Sequence, residues 1–338
     1  MKKIILLILL IISTSVLYAE PYISGELTLS DTVNLSKASD YEIDNSAAAY
    51  LTLDMDVTSN GVKFYFEELL FNDGSKEKFD QTLNKAYLKY RLPYKDSYMN
   101  FQIGKSYYSM GGGLIYNAGN PMLENSFATS ETTSLIPTFW NGAITLPVYQ
   151  GEDFDTLYLG FNGVLPIEDD SSKIGTFLNY EIGNKYFDNM EVSVLTDLSS
   201  TMLSFGYDGT LYFDYGLYGK VDLQDTDYFD ISMFLTKVYD KLTFNLEALY
   251  QNNTSYYDGV DKVLFATPTL SYAASDKLSL VLSNTTQATF DSGVTYLNIL
   301  SESLYFSIVQ GFDIYGSIAS YFNDTSLASL TVGTNYEF

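Results

Sequence analysis

The sequence predicts an all-β protein, a transmembrane antiparallel up-and-down β-barrel of about 18 strands, with 16 the alternative. Three observations carry the prediction. The chain closes on Leu330-Thr-Val332-Gly-Thr334-Asn-Tyr336-Glu-Phe338, in which Leu330, Val332, Tyr336 and Phe338 share one face and Ser329, Thr331, Gly333, Asn335 and Glu337 the other. Alternating segments of about ten residues recur along the whole chain, and no long window carries the 3.6-residue period of a helix. The chain holds 31 Tyr, 22 Phe and one Trp, yet its mean hydropathy is near zero. A soluble protein would bury such aromatics in a core, whereas here they punctuate short strands, as the girdles of a membrane barrel do.

At the amino terminus Lys2-Lys3 precede an apolar run from Ile4 to Ile12 and a small-residue site at Leu17-Tyr18-Ala19. This is the pattern of a cleaved signal peptide, so 1–19 is expected to be removed and 20–338 to form a single outer-membrane barrel. The run falls short of the roughly 20 residues that span a bilayer as a helix. Strands are expected near 21–30, 45–57, 61–71, 82–92, 97–108, 136–147, 154–166, 173–183 and 188–198. They continue near 201–208, 210–222, 228–237, 241–252, 261–274, 276–287, 294–308, 311–322 and 327–338. In 241–252, for example, Leu242, Phe244, Leu246, Ala248 and Tyr250 alternate with Thr243, Asn245, Glu247 and Gln251. Around 198–210 the reading is least secure, because Asp208-Gly209 has the composition of a hairpin turn.

With both chain ends on one side, tight turns such as Thr58 to Gly61, Ala274 to Asp276 and Gln310-Gly311 fall at the periplasmic end. Longer connections at 31–44, 72–81, 109–135, 166–172 and 253–260 fall outside; Val148 to Phe154 is long for a periplasmic turn. Sixteen or eighteen strands make a barrel wide enough for an aqueous channel.

The segment 109–135 is the longest connection and carries Gly111-Gly112-Gly113, Asn117, Gly119, Asn120 and Pro121. Glycines permit backbone to lie close to a wall and Pro121 stops strand pairing, so a loop bent into the lumen on Gly111, Gly112, Gly113 and Pro121 is expected. The run from Gly104-Lys105 through Gly113, with Asn117 to Asn120-Pro121, resembles a glycine-then-Asn/Pro pattern of porin-like Gram-negative outer-membrane families. Where those families often place an aromatic before the first glycine, this chain has Met110. In general porins the loop at this position folds into the lumen as the constriction. The closing Tyr336 and Phe338 resemble the signal read by the bacterial barrel-assembly machinery. The resemblance implies an outer-membrane location after export by the general secretory route.

An inward loop would carry Glu124 and Glu131 into the lumen, facing a basic ladder of Lys85, Lys89 and Arg91 on the fourth strand. Alternation places those cations in water, since Lys or Arg on the lipid face near the midplane costs about 2–4 kcal/mol. Acids opposite bases create a transverse field across a constriction.

Composition excludes other functions. There is no Cys and no His, so thiolate, Ser-His and His-metal chemistry are absent, and no cofactor or metal is expected. With 42 Asp and Glu against 18 Lys and Arg, the net charge of −24 excludes nucleic acid as a partner. Expected partners are outer-membrane lipid and lipopolysaccharide, the barrel-assembly machinery, and small solutes or ions, with a homotrimer as a candidate assembly. The function read from the sequence is a porin for small hydrophilic solutes with a cation preference. The alternative is an adhesin or structural surface protein with a non-conducting lumen.

Overall fold

A strand in a bilayer must pair every backbone N–H and C=O with another strand, and only a closed sheet does this without leaving an edge. The computed structural model meets that requirement. It describes residues 22–36, 42–59, 62–72, 80–94, 97–107, 112, 115–121, 127, 138–150, 156–164, 173–181, 188–196, 200–252, 262–290, 294–322 and 326–338. The signal peptide 1–19, Gly111, Gly113, Glu124, Glu131 and the whole of 253–260 lie outside these residues.

Among the described residues there are eighteen strands. They are β1 (Tyr22–Ser36), β2 (Glu42–Ser59), β3 (Val62–Asn72), β4 (Asp80–Tyr94), β5 (Ser97–Tyr107), β6 (Thr138–Gln150), β7 (Thr156–Val164), β8 (Lys173–Glu181) and β9 (Asn189–Thr196). The second half contains β10 (Thr201–Thr210), β11 (Asp214–Asp222), β12 (Phe229–Tyr239), β13 (Leu242–Asn252), β14 (Lys262–Ser275), β15 (Leu278–Phe290), β16 (Val294–Val309), β17 (Phe312–Phe322) and β18 (Ser326–Glu337). Each strand pairs antiparallel with its sequence neighbours, and β1 pairs with β18, which closes the ring. The sixteen-strand alternative is thereby set aside.

The register winds upward around the ring. Tyr22, at the end that carries both termini, pairs with Asp56, and the path continues through Tyr65, Tyr87, Gly104, Asn141 and Val164 to Lys173. Lys173 opens β8 at the opposite, loop-bearing end, so the pairing direction climbs from one rim toward the other, as strand tilt in a barrel requires.

The terminal strand seals the seam. Gly25 and Phe338 exchange two backbone hydrogen bonds of 3.0 Å, and the rings of Tyr336 and Phe338 stack 5.9 Å apart on the outer face. The expected lipid face of this strand is exposed as alternation demands, at Leu330, Val332, Tyr336 and Phe338. At the terminal end the turn between β16 and β17 rests on Gly311, at φ 77°, where a Cβ would lie 2.7 Å from the carbonyl oxygen of Glu337. Glycine is the residue that fits both the positive φ and the close approach.

Three boundaries differ from the sequence reading. The strand β1 runs on to Ser36, shortening the expected 31–44 loop, because Thr32 and Asn34 keep the inward parity and Thr32 bonds the hydroxyl of Thr331 at 2.9 Å. The strand β6 continues to Gln150, through part of the expected 148–154 turn. Asp208-Gly209 is not a hairpin turn. It lies inside β10, where Asp208 pairs with Gly216 and accepts a 2.6 Å hydrogen bond from the Tyr218 hydroxyl. The turn falls instead at Leu211 to Phe213.

Candidate functional site

The site is built from the connection between β5 and β6. Its described residues, 112, 115–121 and 127, lie against β11 to β14, and β5 and β13 stand eight places apart in the ring of eighteen. The described part of this connection therefore lies across the lumen from β5.

The docking is specific. Glu247, on the inner face of β13, accepts hydrogen bonds from the backbone N–H of Ile115 at 2.8 Å and of Tyr116 at 3.1 Å. The Ser232 hydroxyl of β12 accepts the N–H of Ala118 at 2.9 Å, and the Tyr116 hydroxyl meets the Thr267 hydroxyl of β14 at 2.9 Å. Beside these bonds Tyr116 and Ala118, 2% and 0% exposed, join Leu249, Val263 and Phe265 in an apolar cluster against which Ile115 and Phe127 pack. The rings of Tyr116, Phe127 and Phe265 lie 5.3 to 5.8 Å apart. A side chain at Gly112, the described glycine of the triplet, would meet the Tyr218 hydroxyl at 2.6 Å, so the Tyr218 ring would have to move to admit it. Pro121 is buried at the far end of the docked stretch.

Sequence alternation had not singled out Glu247, Leu249, Val263 and Phe265 as the receiving surface. The signal was present in Leu249, Val263 and Phe265, three apolar residues grouped at inward parity on adjacent strands.

Beneath the loop the wall is polar and closed. Lys220 of β11 and Asp230 of β12, cross-strand partners each 1% exposed, form an ion pair at 3.3 Å, and Gln251 donates to Asp230 at 3.3 Å. Burial pushes the Tyr116 phenol up to about 12, and the nearby Glu247 carboxylate adds to this while the Thr267 hydrogen bond opposes it. A phenol whose folded pKa is raised contributes stability that is complete below the unfolded value of 10.0 and lost as pH rises toward about 12. Loop docking is therefore expected to weaken between those values. Tyr116→Phe should remove that part of the pH dependence of channel conductance.

The basic ladder stands across the lumen from this anchor, since β4 is nine places from β13. Tyr87, Lys89 and Arg91 point inward with Lys63 of β3, which is the cross-strand partner of Lys89. The ladder is not uniform. Lys85 is bound to Glu67 at 2.7 Å, and Glu67 also accepts from Tyr65 at 2.8 Å and from Asn84. Lys63 pairs with Asp56, whereas Lys89 and Arg91 have no acidic partner among the described residues. The free positive charge of the wall thus sits toward the terminal end, at Lys89 and Arg91.

No protein-family profile matches the sequence, and no curated protein does either. Solved structures do match over nearly the whole chain. OpdL of Pseudomonas aeruginosa superposes with a TM-score of 0.65 at 12% identity, covering 94% of this chain and 99% of its own. A BenF-like porin from Pseudomonas fluorescens Pf-5 gives 0.61 at 13% identity, covering 95% and 98%. OccK2 (OpdF) of P. aeruginosa, solved in complex with glucuronate, gives 0.60 at 14%, covering 94% and 96%. The fold is that of the porin-like outer-membrane β-barrels. Within that fold the inward loop and the opposed basic strip are the features that a solute crossing the lumen would meet.

Proposed function

We propose that the protein is an outer-membrane porin for passive diffusion of small hydrophilic solutes. The termini lie on the periplasmic side, and the loop anchored at Glu247 sets the width of the passage. The observation that supports this most directly is a ring of eighteen strands with a polar inner face, crossed by a loop that hugs one wall. The described solute-facing wall opposite the loop holds charged side chains, not a packed core. The resemblance to channels supports transport over catalysis, and the glucuronate bound by OccK2 is a small hydrophilic solute of the expected kind. Tyr336 and Phe338 serve as the assembly signal in this reading, and Glu124 and Glu131 as acids of the constriction.

The excess of Asp and Glu gives the channel a cation preference, opposed locally by Lys89 and Arg91. Reversal potentials in a salt gradient across planar bilayers test both statements. The refolded mature protein should give discrete, cation-biased steps. Replacing Lys89 and Arg91 by Ala should raise the cation bias, because these two bases lack acidic partners, while Lys85→Ala should shift it less. Silent insertion of a folded barrel would remove the porin reading.

A further inference from the structure

The lipid face of β16 carries a carboxylate that hydrocarbon cannot solvate. Glu302 lies on the outer face of β16, where its cross-strand partners are Leu282 and Ile318. On that strand the outward residues Tyr296 and Phe306 bracket it above and below, so Glu302 sits within the apolar band between the aromatic girdles. Its side chain is exposed and makes no hydrogen bond or ion pair among the described residues. Around it Leu270, Leu280, Leu282, Leu304 and Ile318 line an apolar recess, deepened at Gly316, which presents no side chain. Ionisable groups at such depth are rare and almost always find a polar partner.

Donors stand on the same face. Asn284 of β15 is the diagonal neighbour of Glu302, two residues beyond Leu282 toward the loop end. Because the pairing direction climbs with each successive strand, Leu282 lies below Glu302 and Asn284 comes level with it. The Asn284 amide spends one N–H on Thr286 at 3.4 Å, and Thr286 in turn donates to Asn298 at 2.8 Å. Among the described residues the second N–H of the Asn284 amide has no acceptor.

We propose that this face binds a second copy of the chain across a two-fold axis parallel to the barrel axis and passing between β15 and β16. Such an axis keeps every residue at its own depth and exchanges the two strands. The Asn284 amide of each copy then donates to the Glu302 carboxylate of the other, so the donor-acceptor set is complementary to itself. The same operation brings β14, which carries Leu270, against the partner's β17, where Gly316 leaves room for a side chain. The proposal rests on the barrel lying in a bilayer and not on its conducting, so a silent channel would leave it standing.

The chain has no cysteine, so an introduced one forms no disulfide within the chain, and one between copies is recognised by its doubled mass. Leu282→Cys, beside the axis, should give an oxidant-induced disulfide dimer in intact outer membranes. Ile103→Cys, on the lipid face of β5, should give none. Adding Glu302→Leu to the Leu282→Cys protein should cut the dimer fraction about ten-fold, the loss of two hydrogen bonds of the strength found in membranes. Glu302→Gln should retain the dimer, because its amide oxygen still accepts from Asn284. Folding of each variant is checked by its heat-sensitive migration on gels. Equal cross-linking at positions 282 and 103, no cross-linking at 282, or a dimer fraction unchanged by a folded Glu302→Leu protein would each overturn the proposal.

Discussion

Glu247→Ala is expected to release the lumen loop and produce a larger, noisier channel. Glu247 accepts the N–H groups of Ile115 and Tyr116, and both bonds are to a carboxylate in a water-poor site. Hydrogen bonds to charged groups contribute about 1.5–3 kcal/mol each, and the Tyr116 N–H would be left buried without its acceptor. Even a combined loss of about 3 kcal/mol moves the docked-to-free equilibrium roughly a hundred-fold. The apolar cluster of Tyr116, Ala118, Leu249, Val263 and Phe265 remains, so the released loop should re-dock transiently, not leave permanently. Single-channel recording should show brief transitions to a higher conductance that wild type lacks. Phe265→Ala, which removes the ring packed on Tyr116 and Phe127, should act in the same direction with the polar anchor intact. A conductance unchanged in both variants would mean that the loop does not limit the passage.

Strands and their faces were legible because alternation is a local property with period two. The eighteen segments can be read from Leu/Phe/Tyr against Thr/Asn/Asp without knowing which strand pairs with which. Asp208-Gly209 shows where local reading fails. Its composition favours a tight turn, yet Asp208 is held in the strand by the Tyr218 hydroxyl, a partner whose proximity only the β10–β11 register creates. Thr32 and Asn34 misled in the same way, since polar residues facing the lumen look like a loop until their parity is followed, whereas Asp31 falls on the outer face with Leu29 and Val33.

The ladder was legible as a list of cations but not as an electrostatic object. Glu67 and Asp56, which pair with Lys85 and Lys63, come from neighbouring strands. Pairing register is a long-range outcome, so the sequence could not separate Lys85 from Lys89 and Arg91. Inward apolar residues are different. Leu249, Val263 and Phe265 break the polar parity of β13 and β14, and a breach of alternation in a barrel marks a site where something other than water covers the wall.

The largest effect on stability is expected at Lys220 and Asp230. Two opposite charges stand there on adjacent strands with 1% of each exposed, and Gln251 supplies a further hydrogen bond to the carboxylate. Taking both out of water costs several kcal/mol per ion, and each charge offsets part of the other's cost. Asp230→Ala keeps the ammonium of Lys220 buried while removing the carboxylate it pairs with, which destabilises by about 3–5 kcal/mol. The sign reverses for the pair: replacing Lys220 by Met together with Asp230 by Leu removes both desolvation penalties and should restore most of the loss. Denaturant midpoints of the refolded barrel, followed by its heat-sensitive migration on gels, separate the cases. If Asp230→Ala and the double variant unfold at the same midpoint, water reaches Lys220 and the wall beneath the loop is open. If the double variant recovers, the lumen on this side is sealed, and solute passes between the loop and the opposing wall of Lys89 and Arg91.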